Sequence, residues 1–220
     1  TNMTYGEDNR IATYNSQAVS FDDDGNMTQG PLGEAFATFI YDQRNRLIKA
    51  GNTEYTYTIE NHRTHVKQDN KTTEYLVNPH ASLSQVLMKK EADGTKTYYI
   101  YGLGLIAQVE SNTKHFYHYD LRGSTVALTN DIGSVNDQFN YMPYGLLVSR
   151  LGNTKTPFLF VGKYGVEQSD SILYMRARYY NSMMRRFISK DRLTGSIQKP
   201  QSVNRYSYVT GNPISFNDPL

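Results

Sequence analysis

Polar and apolar residues alternate along short segments of this chain, and clusters of Asp, Asn and Gly separate the segments. The stretches 53–58 (TEYTYT) and 96–101 (KTYYIY) are typical of half-buried strands, whose side chains repeat every two residues. No segment carries a long run with the period of an amphipathic helix. The pattern therefore predicts an antiparallel meander of many short strands over residues 1–150.

A short unit recurs in the first half of the chain. Each copy has Asn or Gly four positions after an aromatic residue, and these aromatic residues are Tyr5, Phe21, Tyr41 and Tyr57, spaced 16, 20 and 16 residues apart. Because Asn and Gly tolerate positive φ, four pairs are predicted to close tight hairpins: Asp8-Asn9, Asp24-Gly25, Arg44-Asn45 and Glu60-Asn61. In the first three copies an aliphatic residue or Met follows the turn, and it should pair with the aromatic residue across the hairpin.

The length of the repeat limits which β architectures are possible. A spacing of 16–20 residues corresponds to one up-and-down pair of strands, which is too short for the four-stranded blade of a propeller. A continuous wrapped or spiralling sheet fits the spacing best. A strip of such a sheet has an unpaired edge, and we expect the rest of the sheet or a partner chain to cover that edge.

Composition narrows the function classes. The 220 residues include 19 Tyr and 9 Phe but no Trp and no Cys, which favours β structure and excludes disulfides, thiol nucleophiles and cysteine-ligated metals. A net charge of +2 does not indicate a nucleic-acid binder, and no apolar run approaches the roughly 18 residues of a membrane span. The chain starts within repeat-like sequence and without a signal peptide, so we expect it to be a piece of a larger protein.

Three patterns invite a ligand-binding interpretation. The segment 21–26 (FDDDGN) lacks the closing Glu of a calcium loop, and a hairpin turn is favoured. The histidine pairs 62/65 and 115/118 would point to opposite faces of strands, which disfavours zinc. For the Arg- and Tyr-rich stretch 174–186, packing is favoured over a single-stranded nucleic-acid surface. We predict no metal, no cofactor and no nucleic-acid partner.

The unit 41–47 (YDQRNRL) resembles the tyrosine–aspartate (YD) repeat of the RHS family. The second half resembles that family's core-associated region through an ordered series of motifs: YHYDLRGSTVAL (117–128), YMPYG (141–145), PFLFVG (157–162), LYMRARYY (173–180), RFISKD (186–191), NRYSY (204–208), GNP (211–213) and DP (218–219). The resemblance implies an all-β fold, with YD-type hairpins of a large spiral β shell over residues 1–115. It implies a core-associated domain with an irregular C-terminal plug over residues 116–220.

RHS-family proteins are large polymorphic toxins and toxin-complex components whose shell encloses a C-terminal toxin. The resemblance implies an encapsulation module, with its own C-terminal toxin segment and the remaining shell repeats or a partner shell protein as partners. It also implies a bacterial protein that is secreted or surface-associated, exported within a larger polypeptide. Many members cut themselves at the toxin boundary, which here would lie just after residue 220. A surface-adhesion module without protease activity and a hydrolase acting on a foreign substrate stay open as alternatives.

The family's aspartic-protease-like pair corresponds by motif to Asp191 and Asp218, and its arginine to Arg178. Such a site uses one ionised carboxylate to activate water and one protonated carboxyl to polarise the scissile carbonyl. Arg178 would orient a carboxylate through charge-assisted hydrogen bonds. This chain departs from the family pattern because Arg192 replaces a proline and residues 196–202 lengthen the interval. The alternative is that both aspartates are turn residues.

Overall fold

The computed structural model of the chain describes residues 2–169 and 171–218. Within them lie 21 strands, four short 3₁₀ turns and no α-helix, which confirms the predicted all-β antiparallel meander. None of the described segments forms a helix long and apolar enough to cross a membrane. The 3₁₀ turns are Glu7–Asn9, Gly162–Tyr164, Pro200–Val203 and Val209–Gly211.

The strands form three sheets in chain order. The first sheet contains β1 (Met3–Tyr5), β2 (Ile11–Tyr14) and β3 (Gln17–Ala18). The second sheet, which we call the shell sheet, has fourteen strands: β4 (Ser20–Phe21), β5 (Met27–Leu32), β6 (Ala35–Tyr41), β7 (Leu47–Ala50), β8 (Thr53–Tyr57), β9 (Arg63–Gln68), β10 (Lys71–Asn78), β11 (Gln85–Lys90), β12 (Lys96–Gly102), β13 (Gly104–Glu110), β14 (Thr113–Tyr119), β15 (Thr125–Thr129), β16 (Val135–Tyr141) and β17 (Leu147–Leu151). The third sheet contains β18 (Glu167–Ser169), β19 (Ile172–Met175), β20 (Arg178–Asn181) and β21 (Arg186–Phe187).

Among the described residues, seven hairpins of the shell sheet share one five-residue turn, which we call the bulged turn. Its first N–H donates to the fifth carbonyl, its fourth N–H donates to the first carbonyl, and its fourth residue has positive φ. The seven copies are Asp22–Asn26, Asp42–Arg46, Thr58–His62, Glu91–Thr95, Asp120–Ser124, Asn130–Ser134 and Met142–Leu146. Asn or Gly stands at the fourth position of every copy because these residues adopt positive φ most easily.

The predicted hairpins are confirmed. Gly25, Asn45 and Asn61 occupy the fourth position of bulged turns, and Asp8 and Asn9 both have positive φ in the turn between β1 and β2. The predicted aromatic–aliphatic partners also face each other across the strands, and these pairs are Tyr5–Ile11, Phe21–Met27 and Tyr41–Leu47. The local repeat therefore fixes the register of the meander.

The aspartate of the YD unit closes the bulged turn. One carboxylate oxygen of Asp42 accepts hydrogen bonds from the backbone N–H groups of Arg44 (2.9 Å) and Arg46 (3.0 Å), and the other forms an ion pair with the Arg46 side chain at 2.6 Å. Asp120 accepts the corresponding backbone bonds in its own turn. The Asp side chain thus satisfies N–H groups that the tight turn leaves without carbonyl partners.

Residues 152–218, which we call the plug, cover one face of the shell sheet. Phe39 and Tyr55 from the shell sheet pack with Tyr179 of the plug in one apolar cluster. Phe139 packs with Phe158 of the plug in a second cluster. Buried apolar surface of this kind is the main force that holds the plug against the sheet.

The shell sheet continues through Leu151, past residue 115, where the family resemblance divides the chain. That division stays a prediction. Strand β17 lies at one edge of the shell sheet and most of its side chains are exposed, as expected for a strip of a larger sheet.

Candidate functional site

The hairpin of β20 and β21 carries Arg178 at its start and returns the chain so that Asp191 lies beside it. Nη2 of Arg178 is 2.9 Å from Oδ2 of Asp191 and 3.5 Å from Oδ2 of Asp218. The two aspartates lie 27 positions apart in the sequence, yet both contact one nitrogen atom. The structure therefore brings together the three residues singled out in the sequence, while their catalytic roles stay a prediction.

The guanidinium of Arg178 is held on two sides. Its central carbon lies 3.6 Å from the ring centroid of Phe187, and Nη1 donates a hydrogen bond to the carbonyl of Arg205 at 3.3 Å. Burial lowers the pKa of Arg178, and the charges of the two aspartates oppose this effect. Because arginine keeps its proton in proteins, the group acts as a fixed cation between two carboxylates.

Asp191 is fixed through its backbone as well as its side chain. Its N–H donates to the carbonyl of Arg205 at 2.9 Å, and the Arg205 guanidinium donates to the carbonyl of Asp191. Oδ1 accepts the N–H of Leu193 at 2.9 Å, which is the contact expected of a turn aspartate. Oδ1 of Asp191 thus closes a turn while Oδ2 faces Arg178, and its catalytic role stays a prediction.

Asp218 lies on a segment that is tied to the shell sheet. The side-chain amide of the preceding Asn217 donates to the carbonyl of Arg122, which lies in a bulged turn, at 3.2 Å. The side chain of Asp218 is 27% exposed and that of Asp191 is 32% exposed, so solvent reaches both carboxylates. Pro219 and Leu220, and with them the predicted turn before Pro219 and the predicted cleavage position, lie outside the described residues.

The geometry is that of two carboxylates bridged by one cation. Their Oδ2 atoms cannot be farther apart than the sum of their distances to Nη2 of Arg178. Of the two carboxylates, Asp218 has the longer contact with Arg178.

A cleft of about 720 Å³ lies in front of this cluster, between bulged turns of the shell sheet and the plug. Its volume falls in the range of ligand-binding clefts. Six of its lining side chains are Arg or Lys and three are Asp, so the lining is positively charged. The charged residues are Arg46, Arg176, Arg178, Lys190, Arg192, Arg205, Asp24, Asp191 and Asp218.

The other sequence patterns have structural roles. Tyr174, Tyr179 and Tyr180 of the Arg- and Tyr-rich stretch are buried in the clusters beneath the plug, which agrees with the packing interpretation. The segment 21–26 contains a bulged turn, as favoured from the sequence. The part of the chain that the structure describes holds no group of three or more His, Asp or Glu side chains placed to bind a metal ion.

Arg205 is the contact residue that sequence reasoning missed. It lies in the segment 204–208, for which the sequence showed only a resemblance to a family motif and no role for Arg205. Its hydrogen bonds connect residues far apart along the chain. Neither its residue type nor its spacing to Asp191 signals that contact. It could be found only from the folded plug.

Comparison with known proteins gives the family. The family model described as Teneurin YD-shell matches residues 1–214. The chain belongs to the teneurin YD-shell family. Curated relatives include the tRNA3(Ser)-specific nuclease WapA of Bacillus spizizenii and the tRNA nuclease WapA of Bacillus subtilis. Each is 25% identical over 231 residues, which cover 99% of this chain and 10% of the relative.

Solved structures share the fold of this YD-shell chain. The crystal structure of TcdB2-TccC3 matches with a TM-score of 0.69 and 17% identity, covering 90% of this chain and 11% of that one. The Photorhabdus luminescens Tc holotoxin pore matches with a TM-score of 0.67 and 16% identity, covering 91% and 10%. The chain thus spans about a tenth of these proteins. The predicted RHS/YD-repeat family and β-shell fold are confirmed.

Proposed function

We propose that this chain is the end of a bacterial YD-repeat shell that encloses a C-terminal toxin segment and releases it by self-cleavage just after residue 220. The observation that carries the proposal is the convergence of Asp191 and Asp218 on Arg178 at the mouth of a cleft. The toxin assignment is supported by relatives that are named nucleases and by the toxin-complex fold. Export to the cell surface or the medium, within a larger polypeptide, belongs to the same proposal.

The reaction would be hydrolysis of one peptide bond. Asp191, the carboxylate nearer to Arg178, stays ionised and takes a proton from the attacking water. Asp218, the more distant one, exchanges its contact with Arg178 for a proton and donates a hydrogen bond to the scissile carbonyl. Water oxygen bonds to the carbonyl carbon, the nitrogen accepts a proton, and the C–N bond breaks. The shell fragment keeps a new carboxyl end and the released segment keeps a new amine.

Each chain needs to be cut only once, so a slow catalytic site is sufficient for self-cleavage. The substrate is part of the same polypeptide, so its effective concentration at the cleft is high. The positively charged lining of the cleft would hold backbone carbonyls and acidic side chains of that segment.

The test uses the longer protein with its natural downstream segment. We expect the parent to run as two fragments on a denaturing gel, and Asp191→Asn and Asp218→Asn to run as one band. Arg178→Gln should slow cleavage by about a hundredfold or more. Arg178→Lys should slow it by less, because lysine keeps the positive charge but not the planar guanidinium with its several N–H donors. Asp131→Asn, an exposed turn aspartate, is the matched control and should cut like the parent. An uncut parent would refute self-cleavage.

A surface-binding module remains the second proposal, and one observation favours it. The uncovered face of the shell sheet presents Leu76, Tyr98 and Ile100, all about half exposed. Leu76 and Tyr98 face the same residue, Met88, from the strands on either side, so they share one face. If the parent stays uncut and Tyr98→Ser weakens attachment to a surface, this proposal replaces the first.

A further inference from the structure

The carbonyl oxygen of Gly25 accepts two hydrogen bonds from the plug. Gly25 is the fourth residue of the bulged turn Asp22–Asn26, with φ of 81°. Its carbonyl accepts the backbone N–H of Lys190 at 3.2 Å and the side-chain hydroxyl of Tyr206 at 2.9 Å. One atom of the shell sheet therefore binds two separate segments of the plug.

These two donors flank the backbone of the candidate site. Lys190 immediately precedes Asp191, and Tyr206 immediately follows Arg205. The carbonyl of Arg205 in turn accepts both the N–H of Asp191 and Nη1 of Arg178. The position of Asp191 relative to Arg178 thus depends on contacts that meet at Gly25.

The neighbourhood of Gly25 fits this role closely. A Cβ atom at Gly25 would lie 2.7 Å from the hydroxyl oxygen of Tyr206 and 3.2 Å from Cβ of Lys190. The N–H of Met27 donates to the carbonyl of Ile188 at 2.9 Å, which continues the pairing beside the turn. Tyr206 is fully buried, so its hydroxyl has no water to replace Gly25 as a partner.

We propose that the Gly25 carbonyl and the Tyr206 hydroxyl are positioning groups for Asp191, so that the site forms only when the plug is docked on the shell sheet. This inference rests on the proposed self-cleavage and adds its regulation. Cleavage would await docking of the plug because a carboxylate displaced by about 1 Å loses much of its catalytic effect. The toxin segment would then be cut only after the plug has docked on the shell sheet.

The test compares Tyr206→Phe with Tyr180→Phe in the longer protein with its downstream segment. Both tyrosines are fully buried in the plug, and each donates to one backbone carbonyl, that of Gly25 or that of Tyr144, at 2.9 Å. Both variants lose a bond from a buried hydroxyl to a backbone carbonyl, so a general loss of stability affects both, and Tyr206→Phe also removes the contact of that hydroxyl with Arg10. The measurements are the first-order cleavage rate and hydrogen exchange of residues 188–193 by mass spectrometry.

We expect Tyr206→Phe to cut about tenfold more slowly than Tyr180→Phe. Exchange in residues 188–193 should rise in Tyr206→Phe alone. Equal rates and equal exchange in the two variants would overturn the inference. If the parent does not cut, self-cleavage fails as the function, and the exchange comparison alone decides whether these groups position Asp191.

Discussion

A buried ion pair joins the shell sheet to the plug and gives a quantitative prediction. Nη2 of Arg63, the first residue of β9, lies 2.8 Å from Oε2 of Glu167, the first residue of β18. Their side chains are 1% and 4% exposed. The guanidinium also lies over the ring of Tyr174 at 4.3 Å and near those of Tyr75 and Tyr55 at 5.5 and 5.7 Å. Glu167→Gln would leave a buried cation without its counter-charge.

The expected cost follows from this burial. Burial alone would lower the pKa of Arg63, but Glu167 and the neighbouring tyrosines together outweigh burial and raise this pKa. The guanidinium stays charged in the variant because arginine keeps its proton in proteins. Breaking a buried pair from one side costs about 3–5 kcal/mol. Each cation–π contact with an aromatic ring stabilises the guanidinium by at most about 2 kcal/mol. These contacts are already present in the parent protein, so they offset little of the loss. We expect Glu167→Gln to lower the free energy of unfolding by about 3 kcal/mol.

The assay is equilibrium urea unfolding of the purified protein, followed by circular dichroism. Glu54→Gln is the matched control, because Glu54 is half exposed and pairs with Lys49 and Lys67 at 3.7 and 3.6 Å. It should cost about 0–1 kcal/mol. A double variant, Arg63→Met with Glu167→Leu, should recover most of the lost stability, since an apolar pair leaves no buried charge. A Glu167→Gln loss equal to that of Glu54→Gln would refute the reasoning.

Two further predictions concern the bulged turns. Gly133 has φ of 83° and no atom lies within 4 Å of a new Cβ, so Gly133→Ala should lower the unfolding free energy by about 1 kcal/mol. Gly123 has φ of 85° and the Tyr164 ring lies 2.5 Å from a new Cβ, so Gly123→Ala should cost about 1–3 kcal/mol more. Equal losses in thermal unfolding would contradict this prediction. Partial burial raises the pKa of Asp42, but hydrogen bonding to Arg46 outweighs burial and lowers this pKa from 3.8. The charged Asp42 therefore stabilises the fold fully above pH 3.8, and this stabilisation is lost as the pH falls through the lower pKa of the folded state. Asp42→Asn should therefore lower the unfolding free energy by up to about 1 kcal/mol at pH 7 and by almost nothing near pH 2, measured by urea titration at each pH.

Local chemistry made the meander predictable from the sequence. An Asn or Gly at the fourth position of a turn needs no distant partner to adopt positive φ, so Asn45 and Asn61 could be placed from spacing alone. The partner of Tyr41 across the strands, Leu47, followed from the same turn. These features depend on residues within seven positions of one another.

The packing of the plug could not be derived in that way. The pair of Arg63 with Glu167 joins residues 104 positions apart, and the bond from Tyr206 to Gly25 joins residues 181 positions apart. Many folds could bury the same apolar residues, and no spacing rule selects among them. The approach of Asp191 to Asp218 was expected only from the family resemblance, since the residues alone left both as turn aspartates.

Three tyrosines of the shell sheet use the hydroxyl as well as the ring. The hydroxyls of Tyr57, Tyr119 and Tyr141 donate to the carbonyls of Leu47, Leu105 and Thr125, at 2.6, 2.7 and 2.8 Å. Each acceptor is the first or second residue of the preceding strand, just after a turn, where the register of the hairpin shifts. A shift leaves a carbonyl without its ladder partner, and a buried carbonyl in that state costs about 1–3 kcal/mol. The ring fills the core and the hydroxyl satisfies the carbonyl.

Two glycines at the fourth position of bulged turns lie where the plug docks. Gly25 and Gly123 each accept a backbone N–H of the plug, from Lys190 and Lys163, at 3.2 and 3.0 Å. A Cβ at either glycine would meet that lysine's own Cβ at 3.2 or 3.1 Å, so a side chain there would obstruct docking.

Asn45 and Asn61, at the fourth position of the two turns that follow Asp22–Asn26 along the same end of the sheet, line the cleft instead. Among the described contacts, no plug backbone N–H donates to the carbonyl of either residue. The cleft in front of Asp191 and Asp218 therefore stays open between these two turns and the plug. A substitution that fills this cleft from a position without positive φ, such as Asp24→Trp, should block cleavage in the longer protein.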